Sequence, residues 1–152
     1  MFSYSVVMPC LNEELTLEAC IQEARAGAIE YGKEAEIIIA DNGSTDRSIE
    51  IAEHYECKIV RVQERGYGSA LNAGIRAATT PYVVMGDSDQ SYNFKDAPRF
   101  VEELEKGADI VIGNRFAGGI EPRAMPWHHK FIGNPILSFV GRLFFKIPIS
   151  DF

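Results

Sequence analysis

The sequence predicts an α/β domain, a mostly parallel sheet with helices on both faces. Three observations carry that expectation. Short apolar runs rich in Val and Ile alternate with stretches of helical periodicity. Within those runs apolar and polar residues do not alternate, as in strands covered on both faces. Polar and glycine residues collect directly after the runs, at the carboxyl ends where such sheets bind ligands.

Residues 5–10 read as the first strand, and Leu17, Ile21, Ala24 and Ala28 then share one helical face. Residues 36–40 read as the second strand. Ser44 or Thr45 suits the cap of the helix that follows, with Asp46 in its first turn. Residues 58–62 form the third apolar run, and the glycine-rich segment after it opens a third helix. Residues 82–85 are the fourth run. Ala97, Phe100, Val101 and Leu104 follow the i, i+3, i+4, i+7 pattern of a fourth helix, and residues 109–112 read as a fifth strand. The order βαβαβαβαβ implies right-handed crossovers. No repeat or linker interrupts the chain before about Gly118, so residues 1–118 are expected to form the core and residues 119–152 a separate segment.

A chain of 152 residues suggests one domain, and 46% hydrophobic residues suffice for one sizeable core. The formal net charge of -7 argues against nucleic acid as the main partner, since proteins that grip its backbone are usually basic. A small phosphorylated ligand held by a few local cations stays compatible. Cys10, Cys20 and Cys57 are odd in number and lack CxxC spacing, which points away from a disulfide framework or zinc site. Reduced thiols fit a cytoplasmic setting. Met1-Phe2-Ser3-Tyr4 leads straight into the first strand without the basic start and apolar core of a signal peptide.

The segments after the strands hold the candidate chemistry. Asp87-Ser88-Asp89 follows the fourth run directly. Two carboxylates so spaced at a strand end offer oxygens to one Mg²⁺ or Mn²⁺ that also binds substrate phosphates; the alternative is a solvated Asx turn. Asp41 opens Asp41-Asn42-Gly43-Ser44-Thr45-Asp46 and is either an acceptor for a base or ribose or part of a glycine turn. Arg65-Gly66-Tyr67-Gly68 lets backbone approach a ligand at a helix N-terminus. The dinucleotide fingerprint does not fit, because Leu71 stands at the third glycine position and no glycine follows the first strand. His54 reads as an ordinary residue near a helix end. Arg115, Arg123, His128, His129 and Lys130 form a basic cluster, either a solvated face or a second phosphate site. Residues 131–149 are apolar but broken by Gly133, Pro135, Gly141, Arg142, Lys146 and Pro148, which fits a core helix or an interfacial one better than a membrane span.

Taken together these pieces resemble the GT-A fold glycosyltransferases of family 2. The resemblance rests on Val7-Met8-Pro9-Cys10-Leu11-Asn12-Glu13-Glu14, Asp41-Asn42-Gly43-Ser44-Thr45-Asp46, Gly66-Tyr67-Gly68-Ser69-Ala70-Leu71-Asn72, Gly86-Asp87-Ser88-Asp89 and Gly113-Asn114-Arg115-Phe116, in family order. The stretches from Ala124 to Pro135 and from Ile149 to Phe152 look like the branch that makes polyprenyl- or dolichyl-phosphate sugars. The resemblance implies an inverting, metal-dependent hexosyltransferase using a UDP- or GDP-linked sugar and a polyprenyl phosphate acceptor. Pro9, Asn12, Glu14 and Asp41 would hold the nucleoside, Arg65 and the Gly66-Gly68 turn would line the donor site, and Leu11, Asn42 and Ser88 would also bind substrate. Asp87 and Asp89 would bind the divalent cation, and Asp89 and Arg115 would be the catalytic residues. Arg115, Arg123, His129 and Lys130 would hold phosphates, with residues 119–152 on the acceptor side at the cytoplasmic face of a membrane. A relative acting on a saccharide or other hydroxyl is the alternative, with Asp151 as base. Many relatives carry Gln two residues after the second Asp; here Gln90 follows Asp89 at once and receives no role. Relatives also continue beyond Ser150-Asp151-Phe152, so the resemblance implies a fragment.

Overall fold

The computed structural model describes residues 2–113. The chain divides into two units, Met1–Val111 and Ile112–Phe152. Within the first unit the elements run β1 (Tyr4–Cys10), α1 (Leu17–Glu30), β2 (Ala35–Asp41), α2 (Ser48–His54), β3 (Lys58–Arg61), α3 (Tyr67–Ala77), β4 (Val83–Met85) and α4 (Ala97–Glu105), the last preceded by a 3-10 turn at Phe94–Asp96. The four strands are parallel in the order β3-β2-β1-β4. His54 ends α2, as expected of an ordinary helix-end residue.

β1 and β2 form the buried centre because their side chains are apolar on both faces. Tyr4, Val6, Met8, Ile37 and Ile39 join Leu17, Cys20, Ile21 and Ala24 of α1, Ala52 of α2 and Val101 of α4 in one core. The opposite face meets α3, where Gly74 lies against Val7 and Ala40. Each buried Ile or Val contributes about 1.5–3 kcal/mol relative to exposure.

Three expectations need correction. β3 and β4 are only partly buried, because they flank the pair that helices cover on both sides. Residues 109–112 form no strand, and no described strand pairs with them; Ile110 is 77% exposed, so the run lacks the burial that makes such a strand worthwhile. Neither Ser44 nor Thr45 caps α2. That work falls to Asp46, just outside the helix, whose Oδ1 accepts from the Ser48 N–H (3.0 Å) and hydroxyl (2.6 Å). Ser44 and Thr45 are used instead in bonds across to the loop after β1.

The end of the sheet away from the rim is tied by one buried carboxylate. Glu36 Oε2 accepts from Ser5 Oγ (2.6 Å), Thr79 N (2.9 Å) and Thr79 Oγ1 (3.0 Å), and Oε1 from Lys58 Nζ (3.3 Å). It thereby joins β1, β2, β3 and the segment leading into β4.

Candidate functional site

The strand order sets where a ligand can sit. From β1 the chain moves outward through β2 and β3, then returns over α3 to β4 on the other side of β1. The carboxyl ends of β1 and β4 therefore border a topological switch point. A cavity of about 270 Å³ lies at this rim. Pro9, Cys10 and Leu11 line it from the end of β1, Asn42 from β2, Tyr67 and Ala70 from α3, and Asp87, Ser88 and Asp89 from beyond β4, with Glu13 beside them. Segments far apart in sequence thus meet as the strand-end rule requires.

The two carboxylates differ in environment. Asp87 is half-buried, and its Oδ1 is fully buried with no hydrogen-bond partner among the described residues. A buried charged oxygen without a partner is costly, so this atom favours a cation or a donor supplied by a ligand. Tyr67 stands beside it; burial, followed by the Asp87 carboxylate, pushes the phenol up to about 12. Asp89 is exposed, and its Oδ1 accepts from the Ser91 hydroxyl (2.5 Å) and N–H (2.9 Å). Those bonds hold its carboxyl below the usual range. The Asx-turn reading therefore holds for Asp89, with Gln90 at φ 64° forming the turn, and is compatible with metal binding because the carboxylate stays ionised. Ser88 is buried and donates to the Pro9 carbonyl (2.8 Å), which pins the segment between the aspartates to the end of β1.

Among the described residues no three His, Cys, Asp or Glu side chains cluster as a complete metal cage. A Mg²⁺-type ion uses one or two carboxylates and fills its remaining positions with water and substrate phosphate. Asp87, with its orphaned oxygen, and Asp89, held ionised, fit that mode of binding.

Other expected site residues turn toward the protein. Asn12, at φ 60°, receives Thr45 N on Oδ1 (2.8 Å) and donates its own N–H to Ser44 Oγ (3.0 Å). Glu14 Oε2 accepts from Arg47 N (3.0 Å), while its N–H donates to Asp46 Oδ2 (2.9 Å). These bonds, with Glu13 N to Ser48 Oγ (2.9 Å), clasp the loop after β1 to the loop after β2. Asn12 and Glu14 are not among the residues lining the cavity. Asp41 is 4% exposed, and its Oδ1 accepts from Ser44 N (2.9 Å). Arg65 and Gly66 are exposed on the turn into α3, Gly68 is exposed in its first turn, and all three also stand outside the lining. Cys10, Glu13 and Tyr67 line the cavity without having been singled out; for Tyr67 the available signal was its place between two rim glycines. Arg115, Arg123, His129, Lys130, residues 131–149 and Asp151 lie outside the described residues. No described helix is long and apolar enough to cross a membrane.

Comparison with known proteins points to one family. The family described as Glycosyl transferase family 2 matches residues 5–152. The chain is 35% identical over 148 residues to the low-salt glycan biosynthesis hexosyltransferase Agl6 of Haloferax volcanii, covering 97% of this chain and 36% of that protein. It is 30% identical over 159 residues to the dolichol-phosphate mannosyltransferase of Pyrococcus furiosus, covering 97% of this chain and 44% of that one. It thus spans less than half the length of either. Among solved structures it resembles glucosyl-3-phosphoglycerate synthase of Mycobacterium tuberculosis in complex with Mn²⁺, UDP-glucose and glycerol 3-phosphate. That likeness has TM-score 0.58 and 29% identity, over 70% of this chain and 41% of that one. The parallel sheet is that of a GT-A glycosyltransferase. A strand-end aspartate pair at the switch point and a family match over nearly the whole length lead to one assignment: this chain belongs to glycosyl transferase family 2.

Proposed function

We propose that the chain carries the donor site of an inverting hexosyltransferase that moves a sugar from a UDP- or GDP-linked donor to a polyprenyl phosphate. The observation that carries this reading is the Asp87 and Asp89 pair lining the cavity, with Asp87 Oδ1 buried and unpaired among the described residues. Asp87 and Asp89 hold a Mg²⁺ or Mn²⁺ ion on the donor diphosphate. When bound, that ion supplies Lewis-acid neutralisation of the departing nucleoside diphosphate. Pro9, Leu11 and Tyr67 line the cavity, Asn12 and Glu14 keep their loops in place, and Asp41, outside the lining, is assigned as the acceptor for the base or ribose.

A phosphate monoester acceptor is already ionised at neutral pH, so it needs cations to place it rather than a general base. Arg115, Arg123, His129 and Lys130 are assigned that task. Residues 131–149, with Lys130, Arg142 and Lys146, suit a segment lying in the headgroup region at the cytoplasmic face of a membrane. A similar dolichol-phosphate mannosyltransferase supports this acceptor class. The second reading, a hydroxyl acceptor with Asp151 as base, is favoured by the similar synthase solved with UDP-glucose and glycerol 3-phosphate.

The deciding experiment incubates the full-length protein with radiolabelled nucleotide sugars and short polyprenyl phosphates. Label in the organic phase is the expected result. Label transferred only to water-soluble hydroxyl acceptors favours the second reading, and no transfer to either contradicts both.

A further inference from the structure

Asn42 was expected to bind substrate, yet its side chain is committed elsewhere. It is 9% exposed. Its Nδ2 donates to the carbonyls of Val62 (3.2 Å) and Glu64 (2.8 Å), and its Oδ1 accepts from the N–H of Gly66 (2.7 Å). One amide orientation alone satisfies all three, since the reverse sets oxygen against two carbonyls. Its own backbone N–H donates to the carbonyl of Cys10 (3.0 Å), so Asn42 also spans to the end of β1.

The turn it holds is a demanding one. Gly66 sits at φ 138°, ψ 145°, a region essentially confined to glycine that persists only where the surroundings impose it. Residues 63–68 are each exposed by whole-residue accessibility, so packing offers the turn little support. Tyr67, the next residue, begins α3 and lines the cavity beside Asp87.

We infer that Asn42 is a positioning residue: its amide fixes the turn at Gly66 and thereby holds Tyr67 as a wall of the donor cavity. This rests on the cavity being the donor site. Both Nδ2 hydrogens are bonded to protein, so a nucleotide contact through them would first break the clip.

Three measurements test it. In the wild-type chain, amide hydrogen exchange should find the Gly66 N–H protected although the residue is exposed. Exchange at the rate of a free loop overturns the inference and requires no variant. Second, Asn42→Ala and Asn42→Asp are digested with trypsin under native conditions, with cleavage after Arg65 followed by mass spectrometry. Asn42→Asp keeps an acceptor for Gly66 but turns a carboxylate toward two carbonyls, so both variants should be cut about tenfold faster or more. Wild-type cleavage rates overturn the inference. Third, affinity for UDP and GDP with Mn²⁺ is measured by calorimetry beside the melting temperature. Both variants should lose about tenfold in affinity while still melting cooperatively, and Asn42→Asp should do no better than Asn42→Ala. Wild-type affinity in Asn42→Asp overturns the inference in favour of a direct acceptor contact. Failure of the wild type to bind either nucleotide overturns the donor-cavity reading, and the exchange and cleavage results still decide the clip.

Discussion

Replacing Glu36 with Gln should destabilise the fold by about 2–3 kcal/mol at neutral pH, the lost bonds being partly offset because a neutral amide costs less to bury than a carboxylate. If the amide oxygen takes the place of Oε2, it keeps the bonds from Ser5 Oγ, Thr79 N and Thr79 Oγ1 but accepts them as a neutral group. Bonds to an ionised partner are roughly twice as strong as neutral ones, and each is worth about 1.5–3 kcal/mol against about 1 kcal/mol. The amide nitrogen then faces Lys58 Nζ, donor against donor. The Lys58 side chain is 40% exposed, so losing that pair adds at most about 1 kcal/mol. For a chain of this length the melting temperature should fall by about 4–12 °C, at about 2–4 °C per kcal/mol. The pH dependence has a definite sign. Burial pushes the Glu36 carboxyl up, but the bonds from Ser5, Thr79 and Lys58 outweigh it and hold the group below its ordinary value. Its contribution is therefore present above the unfolded value of about 4.3 and is lost as pH falls through the folded one. Calorimetric scans of both proteins should show a constant gap between pH 6 and 8 that closes below about pH 4. A gap that persists unchanged at pH 3, or no gap at pH 7, would refute the reasoning.

Other substitutions probe packing, the nucleoside side and the acceptor. In Gly27→Ala the new Cβ would lie 2.6 Å from the Lys95 carbonyl oxygen and 2.7 Å from its Cα, where backbone cannot easily yield. Overpacking of about 1–3 kcal/mol should exceed the gain in helix propensity of about 1 kcal/mol, giving a lower urea midpoint; a raised midpoint would show that the contact relaxes freely. Asp41→Ala should weaken nucleoside diphosphate binding by about 1–3 kcal/mol in calorimetry with Mn²⁺ and also lower the melting temperature, because Ser44 N loses its acceptor. Unchanged affinity would reduce Asp41 to a turn former. Arg115→Glu should harm turnover with polyprenyl phosphate far more than donor binding, and equal losses would remove Arg115 from the acceptor side.

What the sequence revealed follows from what each segment depends on. β1, β2 and the buried face of α1 were legible because Val6, Val7, Ile37, Ile38 and Ile39 with Leu17, Ile21 and Ala24 express local periodicity and burial together. The run at residues 109–112 has equally apolar residues, but a strand also needs a ladder partner, and composition does not encode one. The rim location of the cavity was legible because it follows from strand polarity, which places Asp87 and Asp89 near Pro9 once the sheet is parallel. The partners of rim side chains were not. Asn12, Glu14, Asn42, Ser44 and Thr45 form an exchange of backbone and side-chain bonds between loops, and such pairing depends on how adjacent strand ends align. Motif residues that look like ligand contacts thus partly serve to build the loops that present the site.

The account stands most directly on whether the Asp87 and Asp89 pair recruits the donor through a divalent cation. The measurement is calorimetric titration of UDP and of GDP into the wild type and Asp89→Ala, each with Mn²⁺ and with excess chelator, alongside their melting temperatures. The account predicts that one nucleotide binds the wild type only with Mn²⁺. Asp89→Ala should lose that binding while its melting temperature stays near wild type, because Asp89 is exposed and, among the described residues, its side chain bonds the neighbouring Ser91. Equal affinity in chelator, or undiminished Mn²⁺-dependent binding in Asp89→Ala, would contradict it.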